Sequence, residues 1–246
     1  DCFTTVSELT ARECHQLLER PVDVVTPNGF CPDFVPKAGA FTSRRAAARR
    51  ALAGVAGCTD DAFFICTAGR LEWRNKGIDV FIDSMKQLAV SATVSRRIVA
   101  FVLIPYLEHE NIQIGNLQII FVPHYLNGCD PVFGRTYYDL LIGMDATVFP
   151  SYYEPWGYTP LESIAFDVPT VTTNLSGFGL WAKNLLPSPE PLLANGVAVV
   201  ERTDSNYSDV VASVAHLLAQ YMTASRQETA AAHRAAKAIA KKAEWE

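Results

Sequence analysis

The sequence predicts an α/β protein built on a mainly parallel, doubly wound sheet. Continuous apolar runs of strand length, AFFICTAG (62–69) and IVAFVLIP (98–105), are typical of strands that are buried on both faces. Segments of helical length alternate with these runs, and residues 78–88 place their apolar side chains on one helical face. Alternating strands and helices favour a parallel sheet, which binds its ligands at the carboxyl ends of the strands.

Composition narrows the classes of partner. The chain has 246 residues, is 49% apolar and 19% charged, and carries a net charge of −5, which argues against nucleic acid or an anionic membrane as a partner. No apolar run approaches the roughly 20 residues of a membrane span. The six cysteines have neither CxxC spacing nor histidines at metal-binding spacing, which favours free thiols in a reduced, cytoplasmic setting over disulfides. We predict no metal site, since no Asp-x-Asp triplet occurs, and no cofactor.

The first thirty residues are expected to stand apart from the rest. Residues 2–7 and 23–30 each have the pattern of a short strand, and Ser7 is placed to cap a helix between them. Because these elements are too few to form a core, we expect 1–30 to be the end of a preceding domain with its hinge. Residues 31–246 then form a C-terminal domain that binds a nucleotide sugar.

Two further segments were open to alternative interpretations. Residues 42–57 form an Ala-rich helix with Ser43 as a plausible cap, and we interpret its four arginines as a solvated face rather than a phosphate site. The strands at 98–105 and 117–123 are separated by about a dozen residues without helical periodicity, although a parallel crossover usually needs a helix. Either these strands are antiparallel or residues are absent near 106–116. We expect the second.

Cations follow the first core strand. Arg70, Arg74 and Lys76 come directly after residues 62–69, at the edge of the sheet where ligands bind. We therefore expect these side chains to lie against a diphosphate, in preference to serving only as solvated loop charges.

Residues 149–174 have the pattern of a strand, a loop, a helix and a second strand. Thr159 is placed as the helix N-cap, and Glu162 falls three residues later, where it would complete a capping box. The N–H groups of residues 157–159 and the helix dipole would attract an anion. Glu154 could reach sugar hydroxyls. Glu162 could reach a ribose or serve the cap, and the residues alone leave both open.

Other polar and aromatic residues carry weaker signals. Tyr137 and Tyr138 begin a helix predicted over 137–144 at the front of the sheet, where either can stack on a nucleobase or belong to the core. His216 and His233 lie on helices far from these loops, so we take them as structural.

Four stretches resemble one enzyme family. GRLEWRNKGIDVFI, IIFVPHYLNG, TYYDLLIGMD and VFPSYYEPWGYTPLESIAFDVPTVTTNLSGFG are similar to the glycogen synthases of glycosyltransferase family 3, the eukaryotic type that also occurs in some bacteria. The opening residues resemble the end of that family's N-terminal domain and its hinge. The resemblance implies a GT-B fold and a retaining transfer of glucose, without a metal, from a nucleotide diphosphate glucose to the non-reducing 4-OH of an α-1,4-glucan such as glycogen. UDP-glucose is favoured over ADP-glucose as donor, and a homo-oligomer is left open.

The resemblance also implies roles for individual residues. The implied catalytic residues are Arg70, Lys76 and Glu154, the first two on the leaving diphosphate and the third at the donor glucose. The implied substrate-binding residues are Tyr137 on uracil, Trp156, Gly157, Tyr158 and Thr159 around the sugar and phosphate, and Glu162 on the ribose.

The chain also departs from the family pattern. The acceptor cleft of the N-terminal domain, a long helical insertion between residues 105 and 117, and an arginine-rich helix that binds glucose 6-phosphate have no counterpart here. The resemblance thus predicts nucleotide binding without turnover for this chain alone. The competing prediction is a non-catalytic module that binds a nucleotide sugar or a glucan, and another GT-B transferase is less favoured.

Overall fold

Helices and strands alternate along the chain as the sequence predicts. The structure, a computed structural model, describes residues 1–91, 95–186 and 192–245. The strands are β1 (Thr4–Thr5), β2 (Val24–Val25), β3 (Phe63–Ala68), β4 (Ile98–Leu103), β5 (Ile112–Ile114), β6 (Leu117–Phe121), β7 (Ala146–Val148), β8 (Thr170–Thr173) and β9 (Val197–Val200). The helices are α1 (Glu8–Leu18), α2 (Ala38–Ala56), α3 (Ile78–Ala89), α4 (Tyr137–Leu141), α5 (Tyr158–Ala165), α6 (Gly177–Leu185), α7 (Leu192–Asn195), α8 (Tyr207–Thr223) and α9 (Arg226–Ala240).

The main sheet is parallel apart from one edge strand, which confirms the predicted fold class. Its order in the described residues is β5-β6-β4-β3-β7-β8-β9, and only β5 is antiparallel to its neighbour. The chain moves outward from β3 to the β5 edge, then crosses back to β7 and moves outward to β9. The direction of winding thus changes between β3 and β7. Open α/β sheets bind ligands outside the carboxyl ends of strands at such a switch point.

Both faces of this sheet are covered, which explains the continuous apolar runs. Along β3, Phe64 and Cys66 face one apolar cluster while Phe63 and Ile65 face the other, and all four are at most 1% exposed. Helices α3 and α8 contribute to the second cluster, whereas α2, α4, α5 and α6 contribute to the first. Because side chains on both faces of the strand are buried, the sequence does not alternate between apolar and polar residues as it would in a half-exposed strand.

The connection from β4 to β6 contains no helix. The two strands pair in parallel, with Val99 opposite Gln118, so the antiparallel alternative is wrong. Between them β5 runs back along the sheet edge, with Ile114 opposite Leu117. This short strand returns the chain to the end of the sheet at which the parallel strands begin, which is what a crossover helix usually does. The expected absence of residues near 106–116 stays a prediction.

Helix α2 begins earlier than expected, and its arginines are only partly solvated. It starts at Ala38, so Ser43 lies inside the helix and does not cap it. Arg45 donates to the carbonyls of Ile142 (2.7 Å) and Met144 (2.9 Å). The interpretation of a solvated face is wrong for this arginine, because the turn after α4 leaves carbonyls that need donors.

Arg49 is also bound rather than solvated. Its guanidinium pairs with Asp145 at 2.9 Å, and the same carboxylate accepts the N–H of Phe64 at 2.9 Å. These contacts fasten α2 to β3 and to the turn before β7. Arg44, whose side chain is 61% exposed, fits the predicted solvated face.

The N-terminal residues form a small separate sheet. Strands β1 and β2 pair in parallel, and Ser7 caps α1 as predicted, with Thr10 completing the capping box. Leu17 and Leu18 of α1 are 76% and 62% exposed. The division into domains at residue 30 stays a prediction.

Two further properties concern the whole described chain. All six cysteines are free thiols, and burial raises the pKa of the Cys66 thiol. Within 1–91, 95–186 and 192–245, no helix has the length and apolarity to cross a membrane.

Candidate active site

A cleft of about 630 Å³ opens at the carboxyl ends of β3 and β7. It gathers seven of the nine residues to which the family resemblance assigns a role: Arg70, Lys76, Tyr137, Glu154, Tyr158, Thr159 and Glu162. The fold therefore brings together side chains that lie up to 92 positions apart in the sequence, from Arg70 to Glu162.

The cleft is also lined by residues that sequence reasoning missed. Tyr106, His124 and Tyr125 reach it from the segments that follow β4 and β6. The rings of Tyr106 and Tyr125 meet edge to face at 5.8 Å. The sequence contained a signal for these residues, because they are the first residues after two apolar runs that predict core strands, and ligands bind at the carboxyl ends of such strands.

An ion pair joins the two loops that form the cleft. The Lys76 ammonium bonds to the Glu154 carboxylate, and their side chains are 13% and 21% exposed. Each charge offsets the cost of desolvating the other. A bound anion could accept hydrogen bonds from the same ammonium group, and sugar hydroxyls could donate to the carboxylate.

Backbone contacts hold these loops close together. Gly77 has φ +64°, and a Cβ at this residue would lie 2.0 Å from the carbonyl oxygen of Pro150. The N–H of Tyr152 donates to the carbonyl of Asn75 at 2.7 Å. Lys76 lies between two residues that the loop after β7 touches, so the position of its backbone is fixed from both sides.

The cations near β3 do not all reach the cleft. Arg70 lines it, with a 75% exposed side chain that pairs with Glu72 at 3.1 Å. Arg74 instead lines a second cavity of about 580 Å³. This second cavity is formed by Arg74, Asp79, Tyr152, Arg202, Thr203, Asp204 and Tyr207. Arg74 therefore does not lie in the cleft beside Arg70 and Lys76, and its expected contact with a diphosphate stays a prediction.

Helix α5 presents its N-terminus without a side-chain cap. Gly157 is the N-cap residue, with φ +105°, and no side chain bonds to the first turn. The predicted capping box is wrong because this left-handed glycine starts the helix at Tyr158, which puts Thr159 second and Glu162 fifth. Tyr158 and Thr159 line the cleft, so this turn offers N–H groups and the positive end of the dipole to an anion.

Glu162 is held by a tyrosine instead of by the cap. The Tyr138 hydroxyl donates to Glu162 Oε1 at 2.8 Å. Burial raises the pKa of Glu162, and this hydrogen bond opposes the rise. The carboxylate thus lines the cleft with a fixed orientation.

The adjacent tyrosines have different positions. Tyr138 does not line the cleft and stacks on Phe166 with centroids 4.9 Å apart. Tyr137 lines the cleft, and its buried hydroxyl has no hydrogen-bond partner among the described residues. Burial raises the pKa of both hydroxyls. Both tyrosines pack against the core, and Tyr137 alone of the pair also lines the cleft, so its stacking on a nucleobase stays a prediction.

Trp156 does not line the cleft. It is 3% exposed and packs against Phe178 and Trp181, with ring centroids 6.2 and 5.8 Å away. Its carbonyl accepts the N–H of Phe178 at 2.7 Å, which pins the loop to α6. Gly157, beside it, is buried and also lies outside the cleft lining. The predicted roles of both residues in substrate binding stay predictions.

The N-terminal segment also touches the loop that carries Glu154. The Tyr153 hydroxyl donates to Glu13 of α1 at 2.8 Å, and burial together with this bond raises the pKa of Tyr153 to about 12. A Cβ at Gly177 would lie 2.5 Å from the Cβ of Ser7. These contacts join residues far apart in the chain, and no local pattern predicts them.

The chemistry of the site is that of anion and hydroxyl binding. Ammonium, guanidinium and helix N–H groups are placed to neutralise a phosphate, and carboxylates are placed to accept from hydroxyls. Among the described residues, no group of three or more His, Cys, Asp or Glu side chains could hold a metal ion.

Comparison with solved structures identifies the fold. The chain superposes on WaaG, a glycosyltransferase involved in lipopolysaccharide biosynthesis, with a TM-score of 0.65 at 14% identity, covering 97% of this chain and 58% of that one. A glycosyltransferase from Rickettsia africae ESF-5 gives a TM-score of 0.65 at 14% identity, with 98% and 58% coverage. The fold is that of the GT-B glycosyltransferases.

The family follows from the sequence comparison. The family model described as "Glycogen synthase" matches residues 1–118 and 106–246. The chain belongs to the glycogen synthase family.

The curated relatives are longer than this chain. "Glycogen [starch] synthase isoform 1" of Saccharomyces cerevisiae is 24% identical over 342 residues, covering 93% of this chain and 48% of the relative. "Glycogen [starch] synthase" of Neurospora crassa is 25% identical over 336 residues, with 93% and 47% coverage. "Glycogen [starch] synthase, liver" of Mus musculus is 24% identical over 330 residues, with 92% and 46% coverage.

The chain thus spans about half the length of the curated relatives that it matches. Because each alignment is longer than the 246 residues of this chain, the relatives carry residues that have no counterpart here. The two matched segments of the family overlap at 106–118, in the connection from β4 to β6.

Proposed function

We propose that this chain is the donor-binding half of a retaining glucosyltransferase. The reaction moves glucose from a nucleotide diphosphate glucose, with UDP-glucose favoured over ADP-glucose, to the non-reducing 4-OH of an α-1,4-glucan such as glycogen. The observation that carries the proposal is the Lys76–Glu154 pair beside the uncapped first turn of α5, in a cleft at the switch point of the sheet. We propose that the reaction takes place in the cytoplasm.

In this proposal the cations stabilise the leaving group. As the bond from the sugar to the diphosphate breaks, negative charge grows on the phosphate oxygens. Lys76 and Arg70 neutralise this charge, and the first turn of α5 adds N–H donors. The proposal assigns this role to the chain's own cations and includes no metal or cofactor.

The carboxylates orient the two ends of the donor. When the diphosphate binds Lys76, Glu154 is released to accept hydrogen bonds from the hydroxyls of the glucose. Glu162, oriented by Tyr138, accepts from the ribose, and Tyr137 offers its ring to the base. We include retention of the anomeric configuration in the proposal because the family resemblance implies it.

The competing function is that of a module that binds a nucleotide sugar in this cleft without transferring the sugar. The two functions share the cleft and differ in turnover.

Calorimetric titration tests the proposal. We expect the wild-type chain to bind UDP or ADP with a clear preference for one, and to bind the matching nucleotide diphosphate glucose several-fold more tightly than the nucleotide. Glu154→Gln should lose the gain that the glucose provides and keep or improve nucleotide binding, because Lys76 then lacks a competing carboxylate.

Glu201→Gln is the matched control. Its carboxylate is 59% exposed and pairs with Lys183 away from the cleft, so both affinities should stay unchanged. Binding of neither nucleotide by the wild-type chain would disprove the proposal. A glucosyl-transfer assay on a maltooligosaccharide should show no turnover by this chain alone, and full activity would refute the predicted division of labour between domains.

A further inference from the structure

Arg202 is a buried cation without an anionic partner. It is 5% exposed, lies two residues past β9, and forms no ion pair with any carboxylate that the structure describes. Burial lowers the pKa of its guanidinium, and Asp79 opposes this effect from a distance. An unpaired buried charge destabilises a fold unless its hydrogen bonds compensate, so its presence needs an explanation.

The hydrogen bonds of Arg202 go to the loop after β7. Nη1 donates to the carbonyl of Pro150, and the guanidinium carbon lies 5.2 Å from the centroid of the Tyr152 ring. Its own N–H donates to Asn174 Oδ1 at 2.6 Å. Arg202 thus joins the end of β9 to the first residues of the loop that carries Glu154.

The same part of the loop supports Lys76. The Pro150 carbonyl that accepts from Arg202 is the atom against which Gly77 packs, too close for any Cβ. The Tyr152 ring under the guanidinium belongs to the residue whose N–H bonds to Asn75. Lys76 lies between Asn75 and Gly77, so both supports of its backbone pass through residues that Arg202 contacts: Pro150 through the same carbonyl, and Tyr152 through its ring.

We propose that Arg202 is a positioning residue for the Lys76–Glu154 pair. It lines the second cavity and not the cleft, so it does not touch the donor. Its guanidinium fixes the Pro150 carbonyl and the Tyr152 ring, and these fix the separation of the two loops. The inference rests on the proposed function, because the ligand of the pair is the donor's diphosphate and sugar.

The test compares a ligand that carries the diphosphate with one that lacks it. Wild type, Arg202→Met and Arg202→Lys are titrated with UDP or ADP, whichever the wild type prefers, and with the matching nucleoside. We expect Arg202→Met to weaken diphosphate binding about tenfold and to leave nucleoside binding unchanged. Arg202→Lys keeps a donor but not the planar fork, so it should restore part of the loss.

Glu201→Gln is again the control, since this neighbour is exposed and does not touch the loop. It should bind both ligands as the wild type does. A purely structural role would lower the thermal midpoint and both affinities together.

Each outcome decides the inference. A folded Arg202→Met with unchanged diphosphate affinity, or with equal losses for both ligands, overturns it and leaves the proposed function standing. If Arg202→Met does not fold, Arg202→Lys decides: a loss confined to the diphosphate supports the inference, and any other pattern overturns it. If the wild type binds neither nucleotide, the proposed function fails and this inference fails with it.

Discussion

The cleft and the second cavity share one short loop between them, and they are alike in size and in the kinds of charged side chain that line them. Their volumes are about 630 and 580 Å³, and both are lined by cations, carboxylates and tyrosines. Ser151 and Glu154 of this loop line the cleft, whereas Tyr152 between them lines the second cavity. Volume and charge do not distinguish the two spaces.

Their hydrogen bonds do distinguish them. In the second cavity the Tyr152 hydroxyl is bonded to Asp204, and the Tyr207 hydroxyl donates to Asp83 at 2.9 Å. In the cleft the Tyr137 hydroxyl has no described partner, and no side chain caps the first turn of α5. The two tyrosine hydroxyls of the second cavity are thus bonded within the protein, whereas the cleft keeps an unbonded hydroxyl and uncapped N–H groups for a ligand.

The largest expected effect comes from removing the cation that lines the cleft, compared with removing one that lines the second cavity. Lys76→Met should weaken binding of UDP or ADP about 10- to 100-fold, because hydrogen bonds to charged groups contribute about 1.5–3 kcal/mol. Arg74→Met, two residues away in the second cavity, should change it less than about twofold. Calorimetry on the two variants measures the contrast, and equal losses would mean that the second cavity also binds the anion.

A smaller effect is expected from closing the space between the loops. Gly77→Ala places a methyl group against the Pro150 carbonyl at a positive φ, which should destabilise the fold by about 2–3 kcal/mol and weaken nucleotide binding several-fold. Gly115 has φ +55° with open space around it, so Gly115→Ala isolates the backbone cost, about 1 kcal/mol. Urea unfolding of both variants gives the difference. Similar losses for the two would show that the contact with Pro150 is not restrictive.

The smallest effect concerns Glu162. Since burial raises the pKa of this carboxyl in the folded protein, its ionisation opposes folding at neutral pH. Glu162→Gln keeps an acceptor for Tyr138 and cannot ionise, so we expect it to be more stable than wild type at neutral pH. This gain should disappear as the pH falls below the usual glutamate pKa of about 4.3, because the wild-type carboxyl is then protonated in both states.

The same variant should bind the nucleotide about threefold more weakly, because an amide is a poorer acceptor for the ribose than a carboxylate. Unfolding curves at both pH values and one titration measure these effects. A wild type that is the more stable protein at neutral pH would contradict the assigned direction of the pKa.

The sequence predicted the sheet and the positions of most site residues, because both follow from local patterns. Apolar runs mark buried strands, and Lys76 and Glu154 lie in the loops that follow two of them. One error concerns the direction of a side chain. Arg74 was placed in the cleft because sequence shows that a residue follows a strand and does not show which way a turn aims its side chain.

Two other errors arose from conformation and distance. The capping box failed because Gly157 adopts a left-handed conformation that starts α5 before Thr159. The bonds of Arg45 to the turn after α4, and of Tyr153 to Glu13, join residues 97 and 140 positions apart. Contacts of this kind depend on the assembled fold, and one sequence carries no local signal for them.

The antiparallel strand β5 has a consequence for how chain length can vary in this family. It lies at the outer edge of the sheet, so its connection to β4 can lengthen without breaking any pairing between parallel strands. The entropy of closing a flexible loop grows only with the logarithm of its length, and an eightfold lengthening costs about 2 kcal/mol. Relatives can therefore carry an additional segment at this edge, where the two matched parts of the family overlap, while they keep the same sheet register and the same cleft.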